Sequence, residues 1–271
     1  MKKIVSIVLC LVHLLTVAFA SLSGDNKPLK TVAMTDEVAN GLKIISHRGL
    51  SGQAPENTLA SFRLACEAGS FGCEFDTQIT SDGKWVVMHD SDVKRTTNGK
   101  GNISDLTFDK VRSLKIEAGR NIKKYLDLSV PTLEETLEVL NDYPTMPIIE
   151  IKSGAPKDMA GLMKLIEENT DLDKVVMISF DESCIKAVRE LYPDIEIWLL
   201  ANEITDANTA LCKEYNFGMD FNYSQKGNIG RVAELNAAGI VTAAWTVDDA
   251  AEAGSLFQNG VNYITSNRLI P

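Results

Sequence analysis

Glu74 and Asp76 stand two residues apart in the largely apolar run Phe71-Gly72-Cys73-Glu74-Phe75-Asp76. On a strand, residues i and i+2 face the same way. The two carboxylates would therefore repel, and one would keep a proton unless a cation lay between them. Glu150, in Pro147-Ile148-Ile149-Glu150-Ile151-Lys152, adds a third carboxylate. Three oxygen donors without cysteine or an extra histidine select a hard divalent cation, Ca2+ or Mg2+, rather than zinc. Lys152 shares the face of Glu150 by the same spacing, and Arg48 offers two parallel donors that can grip a phosphate. These residue types together describe a phosphate pocket in an acidic chain.

Imidazole chemistry has few candidates. The chain has 3 histidines, His13, His47 and His89. His13 lies in a leader-like segment, with Lys2 and Lys3 before an apolar run from Ile4 to Val17 and Ala18-Phe19-Ala20 after it. That pattern predicts a signal peptide cleaved after Ala20, an exported (periplasmic or secreted) protein, and no stable membrane insertion after cleavage, the run being short of the roughly 20 residues of a spanning helix. His47 and His89 then remain. His47 ends an apolar run. His89 follows a hairpin signal, Thr80-Ser81-Asp82-Gly83-Lys84. With Asp82-Gly83 as the two turn residues, Asp76 falls opposite His89, on the face of the carboxylates. Two imidazoles beside a cation suit a reaction in which one group takes a proton and another gives it. Trp245, ending a later run, is a candidate apolar wall; core packing is its plainer role.

The elements that must position these residues recur along the chain. Eight short β-branched apolar runs begin near Lys43, Phe71, Pro147, Val175, Ile195, Gly218, Ile240 and Val261. Helix-period segments lie between most of them, at Thr58–Glu67, Thr132–Leu140, Met159–Glu168, Glu182–Leu191, Ala207–Tyr215, Ile229–Ala238 and Asp248–Gln258. Asn57 precedes the first helix, and Thr132 and Glu135 are spaced as a capping box. Strand and helix alternating in this way predict an α/β fold, a (β/α)8 TIM-type barrel, whose active sites sit at the C-terminal ends of the strands. An open doubly wound sheet is the alternative, weakened because no G-x-G-x-x-G follows a strand. The long gap after the second strand predicts a small insertion, about residues 77–130, on the active-site face. The domain reading is a leader at 1–20, an N-terminal segment at 21–41 and a barrel at 42–271.

Composition sets the outer bounds. With 271 residues, 45 % apolar and 24 % charged, the chain is neither disordered nor polytopic. Its net charge is −10, or −12 without Lys2 and Lys3, which excludes nucleic acid as a partner. Cys66, Cys73, Cys184 and Cys212 match no zinc spacing; small buried thiols are the favoured reading, and a disulfide stays open in an exported protein.

His47-Arg48-Gly49, Pro55-Glu56-Asn57-Thr58, Glu74-Phe75-Asp76, Ser81-Asp82-Gly83, His89-Asp90, Arg95-Thr96-Thr97-Asn98-Gly99, Val130-Pro131-Thr132-Leu133, Glu150-Ile151-Lys152 and Trp245-Thr246 occur in this order. In these pieces the chain resembles the glycerophosphodiester phosphodiesterase family. The resemblance implies a TIM-type barrel with an insertion after the second strand. It also implies metal-dependent hydrolysis of a glycerophosphodiester to sn-glycerol 3-phosphate and an alcohol. By position, Glu74, Asp76 and Glu150 are the implied metal ligands, His47 and His89 the acid–base pair, and Arg48 and Lys152 the phosphate contacts. Glu56 is implied near the metal or as an orienter of Arg48. The family's Thr-Asp-x-Pro reads here Thr265-Ser266-Asn267-Arg268, and the residues after it leave no room for a full eighth helix. Two other functions compete. A phospholipase D-like enzyme on intact lipid would want an apolar or basic mouth, against the net charge. A non-catalytic phosphate- or metal-binding protein would have no need of two histidines and three carboxylates.

Overall fold

The structure is a computed structural model that describes residues 41–152 and 154–270. The expected leader and all but the last residue of segment 21–41 lie outside the described residues. Each of the eight β-branched runs is a strand, and a short ninth strand lies beside the second. In chain order they are β1 (Lys43–Ser46), β2 (Gly72–Ile79), β3 (Trp85–Val87), β4 (Met146–Ile151), β5 (Val176–Ser179), β6 (Glu196–Ala201), β7 (Gly218–Asn222), β8 (Thr242–Trp245) and β9 (Tyr263–Ser266). Every neighbour pair except β2–β3 is parallel, and β1 bonds to both β2 and β9, which closes an eight-stranded barrel. The TIM-type reading thus holds, with β3 added antiparallel outside the ring.

Two apolar layers hold the barrel. Ile45, Ile148, Val176, Ile178, Trp198, Leu200 and Ala243 fill its interior. The opposite faces of the same strands pack on the surrounding helices through a larger cluster that includes Phe62, Phe75, Leu137, Ile149, Met163, Val188, Phe221 and Leu235. Period-two alternation puts one set of side chains inside the ring and the other outside it. The helices are α1 (Leu59–Glu67), α2 (Phe108–Arg112), α3 (Leu133–Asn141), α4 (Met159–Asn169), α5 (Glu182–Leu191), α6 (Asp206–Tyr215), α7 (Asn228–Ala237) and α8 (Ala250–Gln258). Thr132 and Glu135 form the expected capping box at α3. At α1 the cap is Thr58 paired with Ser61, while Asn57 is turned toward Asp76. No described helix is long and apolar enough to cross a membrane. All four described cysteines are free and buried.

Between β2 and α3 the chain leaves the barrel and builds a small core of its own from Val86, Met88, Val93, Ile103, Val111, Leu114 and Val130. Arg112 of α2 forks onto Glu135 of α3 at 2.6 and 2.7 Å and ties this segment back to the barrel.

The hairpin corrects one expectation. Its pairs are Thr77–Val87, Gln78–Val86 and Ile79–Trp85, so Asp76 lies opposite Met88, whose N–H donates to the Asp76 carbonyl at 2.9 Å. The turn holds three residues, not two. Asp82 accepts from the Thr80 hydroxyl (2.6 Å) and from the Phe108 N–H (2.8 Å), and only Gly83 takes a positive φ, +83°. A two-residue turn with Asp82-Gly83, type I′ or II′, would need Asp82 at positive φ, and it is not. A slip of one residue reverses every facing within a ladder. His89 escapes that consequence because β3 ends at Val87. The following segment is fixed by Gln78, whose Nε2 lies 2.8 Å from the Met88 carbonyl oxygen and 2.7 Å from that of Asp90.

Candidate active site

The strand ends converge as the barrel requires. Glu74 and Asp76 on β2 face the interior, and Glu150 on β4 is the register partner of Asp76. One oxygen from each of the three carboxylates lies within 4.8 Å of the others, and all three residues are buried. Burial, with Asp76 and Glu150 alongside, pushes the Glu74 carboxyl well above the usual carboxylate range. Burial, with Asp76 beside it, pushes Glu150 up to about 8. Glu74 Oε1 and Asp76 Oδ1 are buried and have no hydrogen-bond partner. Unpaired carboxylate oxygens gathered in one buried spot fit a hard divalent cation, which would offset their repulsion and complete their coordination.

Arg48 reaches this triad through an unusual turn. Its φ is +57°, and Gly49 follows at +73°. A Cβ on Gly49 would lie 2.4 Å from Ser61 Oγ and 2.6 Å from the Ser61 carbonyl carbon, so this turn demands glycine. The turn delivers the Arg48 N–H to Glu74 Oε2 at 2.8 Å. The guanidinium lies 3.5 Å from Asp76 Oδ2 and bonds Glu56 at 2.9 Å. Glu56 also takes two bonds from Arg95, at 2.7 and 2.9 Å. Burial would raise the Glu56 carboxyl, but Arg95 and Arg48 hold it down to about 2. Glu56 thus sits outside the acidic triad and outside the cavity lining, as an anchor for two arginines.

The two histidines are each fixed at Nδ1. His47 Nδ1 lies 2.7 Å from Asn267 Oδ1. The Asn267 amide donates through Nδ2 to Asp248 at 2.8 Å, which leaves its oxygen to accept, so His47 carries its proton on Nδ1. His47 Nε2 then faces Glu74 Oε2, at 4.0 Å. Burial, with Arg48 beside it, lowers His47 to about 4, so the ring is neutral at pH 7. His89 Nδ1 lies 2.7 Å from Asp90 Oδ1, and Asp90 in turn bonds Arg95. The Arg95 bonds outweigh burial and hold Asp90 down to about 2. His89 Nε2 lies 3.3 Å from Lys152 Nζ, which also sits 3.0 Å from Glu150 and 3.9 Å from Asp76. Lys152 thereby links His89 to the acids that the hairpin register alone would not have brought it to.

These groups line one cavity of about 160 Å3. Its lining includes the charged or titratable His47, Arg48, Glu74, His89, Glu150, Lys152 and Asp220, the apolar Ile178, Phe180, Leu200 and Trp245, and Thr265. Trp245 stands edge-on to Phe180, at 5.9 Å between ring centroids. The structure thus gathers every residue proposed from sequence at or immediately beside one mouth, with Glu56 behind Arg48 and outside the lining. Sequence reasoning missed Asn267, Asp248, Asp220 and the part played by Asp90 and Arg95. A lone acid in the strand Gly218–Asn222 was the one available signal for Asp220.

An eight-stranded parallel barrel with two imidazoles and a buried acidic triad fit for a divalent cation at its mouth has the make-up of a TIM-type barrel hydrolase. The Glycerophosphoryl diester phosphodiesterase family matches residues 47–270, and the chain belongs to that family. A glycerophosphodiester phosphodiesterase of Bacillus subtilis is 30 % identical over 245 residues, 82 % of each chain. One from Caldanaerobacter subterraneus subsp. tengcongensis is 39 % identical over 161 residues, 58 % of this chain and 65 % of the relative. Among solved structures, a phosphodiesterase of Oleispira antarctica in complex with the product sn-glycerol-3-phosphate superposes with a TM-score of 0.79 and 28 % identity, covering 85 % of this chain and 95 % of the other. The chain spans about two thirds of the Caldanaerobacter relative's length and 47 % of human glycerophosphodiester phosphodiesterase 1.

Proposed function

We propose that the protein hydrolyses glycerophosphodiesters to sn-glycerol 3-phosphate and an alcohol, with one divalent cation, Ca2+ or Mg2+, held by Glu74, Asp76 and Glu150. The observation that carries this reading is the buried triad with unpaired oxygens, flanked by two imidazoles each anchored at Nδ1, with His47 Nε2 turned toward Glu74 and His89 Nε2 toward Lys152. Family membership and the product-bound Oleispira relative support it.

Cleaving a phosphodiester requires charge neutralisation on the phosphoryl oxygens, deprotonation of a nucleophile and protonation of a leaving alkoxide. A bound cation would supply Lewis-acid neutralisation of the phosphoryl oxygens. Arg48 and Lys152 add fixed positive charge, and Glu56 orients Arg48. His47, neutral and with its Nδ1 proton engaged by Asn267, takes at Nε2 a proton of the attacking water, whose oxygen becomes bonded to phosphorus as the bond to the alcohol oxygen breaks. His89 gives a proton to the departing alcohol, Asp90 balancing the imidazolium charge from behind, as a carboxylate does behind a catalytic histidine. A phosphate in the cavity draws the Lys152 ammonium away from His89 Nε2. Trp245 and Phe180 give the cavity an aromatic wall. The leader-like sequence at residues 1–20, Lys2-Lys3 before an apolar run, supports action outside the cytoplasm.

The deciding experiment incubates the protein with glycerophosphocholine and with intact phosphatidylcholine, with and without EDTA, and follows glycerol 3-phosphate and choline. Chelator-sensitive release of glycerol 3-phosphate from the first substrate is expected. Turnover of intact lipid alone would transfer the site to a phospholipase, and turnover of neither would leave a binding protein.

A further inference from the structure

Asp220 has no part in the chemistry described above, yet its placement is specific. It lies on β7 between Leu200 of β6 and Ala243 of β8. Gly218, two residues earlier on the same face, would put a Cβ 2.2 Å from Trp198 Cδ1, and Trp198 belongs to the barrel interior. By strand periodicity Asp220 also points inward. It is 2 % exposed, and its Oδ1 is buried without a hydrogen-bond partner. The residue lines the cavity. Its own carbonyl is taken by Trp245 Nε1 at 3.3 Å, so the carboxyl is what remains free.

An unpartnered buried carboxyl destabilises a fold, and here an apolar residue would fit the neighbours better. Leu200 and Ala243 flank it in the ladder, Ile178 and Trp198 belong to the same apolar interior, and among the described residues Glu150 is the one charged group near enough to act on its carboxyl. Strain of this kind in a cavity wall is found where a ligand supplies the missing partner. Asp220 is not one of the clustered metal-binding acids. Its strand lies four places round the ring from β2, opposite Glu74 and Asp76. A ligand that spans the cavity must present C–H surface to Ile178, Leu200 and Trp245, and one hydroxyl to Asp220. A polyol joined to a phosphate has that arrangement.

We infer that Asp220 is a specificity-determining residue that hydrogen-bonds a hydroxyl of the substrate's glycerol moiety, so that the cavity prefers polyol phosphodiesters to diesters lacking hydroxyls. This inference rests on the activity proposed above, and its test separates the two. Calorimetry on the Mg2+- or Ca2+-supplemented protein compares sn-glycerol 3-phosphate with inorganic phosphate. The wild type is expected to bind glycerol 3-phosphate at least about tenfold tighter, the scale of one well-placed hydrogen bond. D220L is expected to lose that margin and to bind phosphate unchanged. D220A, which cannot overpack, is expected to behave alike and decides the matter if D220L does not fold. D220N, retaining a hydrogen-bonding head, is expected to keep the margin within about threefold. In turnover, KM for glycerophosphocholine should rise about tenfold in D220L while kinetics on bis(4-nitrophenyl) phosphate stay within about twofold. A preference for glycerol 3-phosphate that survives in D220L and D220A, or equal losses with both ligands, would overturn the assignment. A wild type that shows the binding preference but hydrolyses no glycerophosphodiester would overturn the activity and leave Asp220 standing.

Discussion

At the residue scale the site depends on side chains that fix other side chains. His47 owes its tautomer to Asn267, and Asn267 owes its amide orientation to Asp248, which accepts from both its Nδ2 and its N–H at 2.8 Å. Removing the amide frees the ring to rotate and to take the other tautomer. N267A is therefore expected to lower kcat for glycerophosphocholine by about 10–100-fold with KM changed little, the usual cost of losing an orienting partner. Steady-state kinetics and a melting curve check this; a parallel fall in thermal stability and KM would assign Asn267 to the scaffold instead. This chain of three residues was not legible in the sequence. His47 and Asn267 are 220 positions apart, and neither periodicity nor spacing connects them. Only closure of β9 onto β1 does so. The triad was legible because strand periodicity alone puts Glu74 beside Asp76, and Glu150 beside Lys152, on one face.

At the scale of elements, the β1–α1 turn and the segment after β2 are joined by an ion network. Arg95 bonds both Glu56 and Asp90, and Glu56 bonds Arg48. Glu56 is depressed from 4.5 to about 2 in the fold. The sign follows from linkage: its contribution is complete above about 4.5 and is lost as pH falls toward about 2. After a discount for partial exposure it amounts to about 1–3 kcal/mol. E56Q is expected to lose most of that increment at neutral pH and to show a flatter stability-versus-pH curve between those values, measured by urea unfolding at a series of pH values. Gly49 tests the same turn sterically. G49A must displace Ser61 or the Arg48 backbone, and a destabilisation of about 2–4 kcal/mol is expected from overpacking plus the left-handed φ. Denaturant melts check it. The hairpin shows where element-level reading fails. Asp82-Gly83 matches a two-residue turn by composition, but the bond from the Phe108 N–H to Asp82 selects the three-residue form. That bond comes from a residue far outside the hairpin, so local turn chemistry could not reveal it.

At the scale of the molecule, the barrel closes around an electrostatic debt. The chain carries a net −10 and buries three carboxylates within one small volume at the strand ends. The apolar interior beneath them, Ile45, Ile148 and Ile178 among others, offers no counter-charge. Lys152 and Arg48 compensate in part from the sides. A divalent cation binding the folded chain and not the unfolded one must then stabilise the whole barrel, by about 2.7 kcal/mol when present at a hundredfold excess over its dissociation constant. For a domain of this size that corresponds to a rise in melting temperature of about 5–10 °C. Calorimetric scans of EDTA-treated protein, with and without added Ca2+ or Mg2+, are expected to show such a rise. E74Q and E150Q remove a negative ligand each, so the rise should shrink to less than about a third, while the EDTA-treated variants melt at or above the EDTA-treated wild type because the repulsion is relieved. Identical melting of the wild type with and without either cation would mean that the three acids are held by proton sharing and by Lys152 and Arg48 alone, and the metal-dependent reading of this barrel would fall with it.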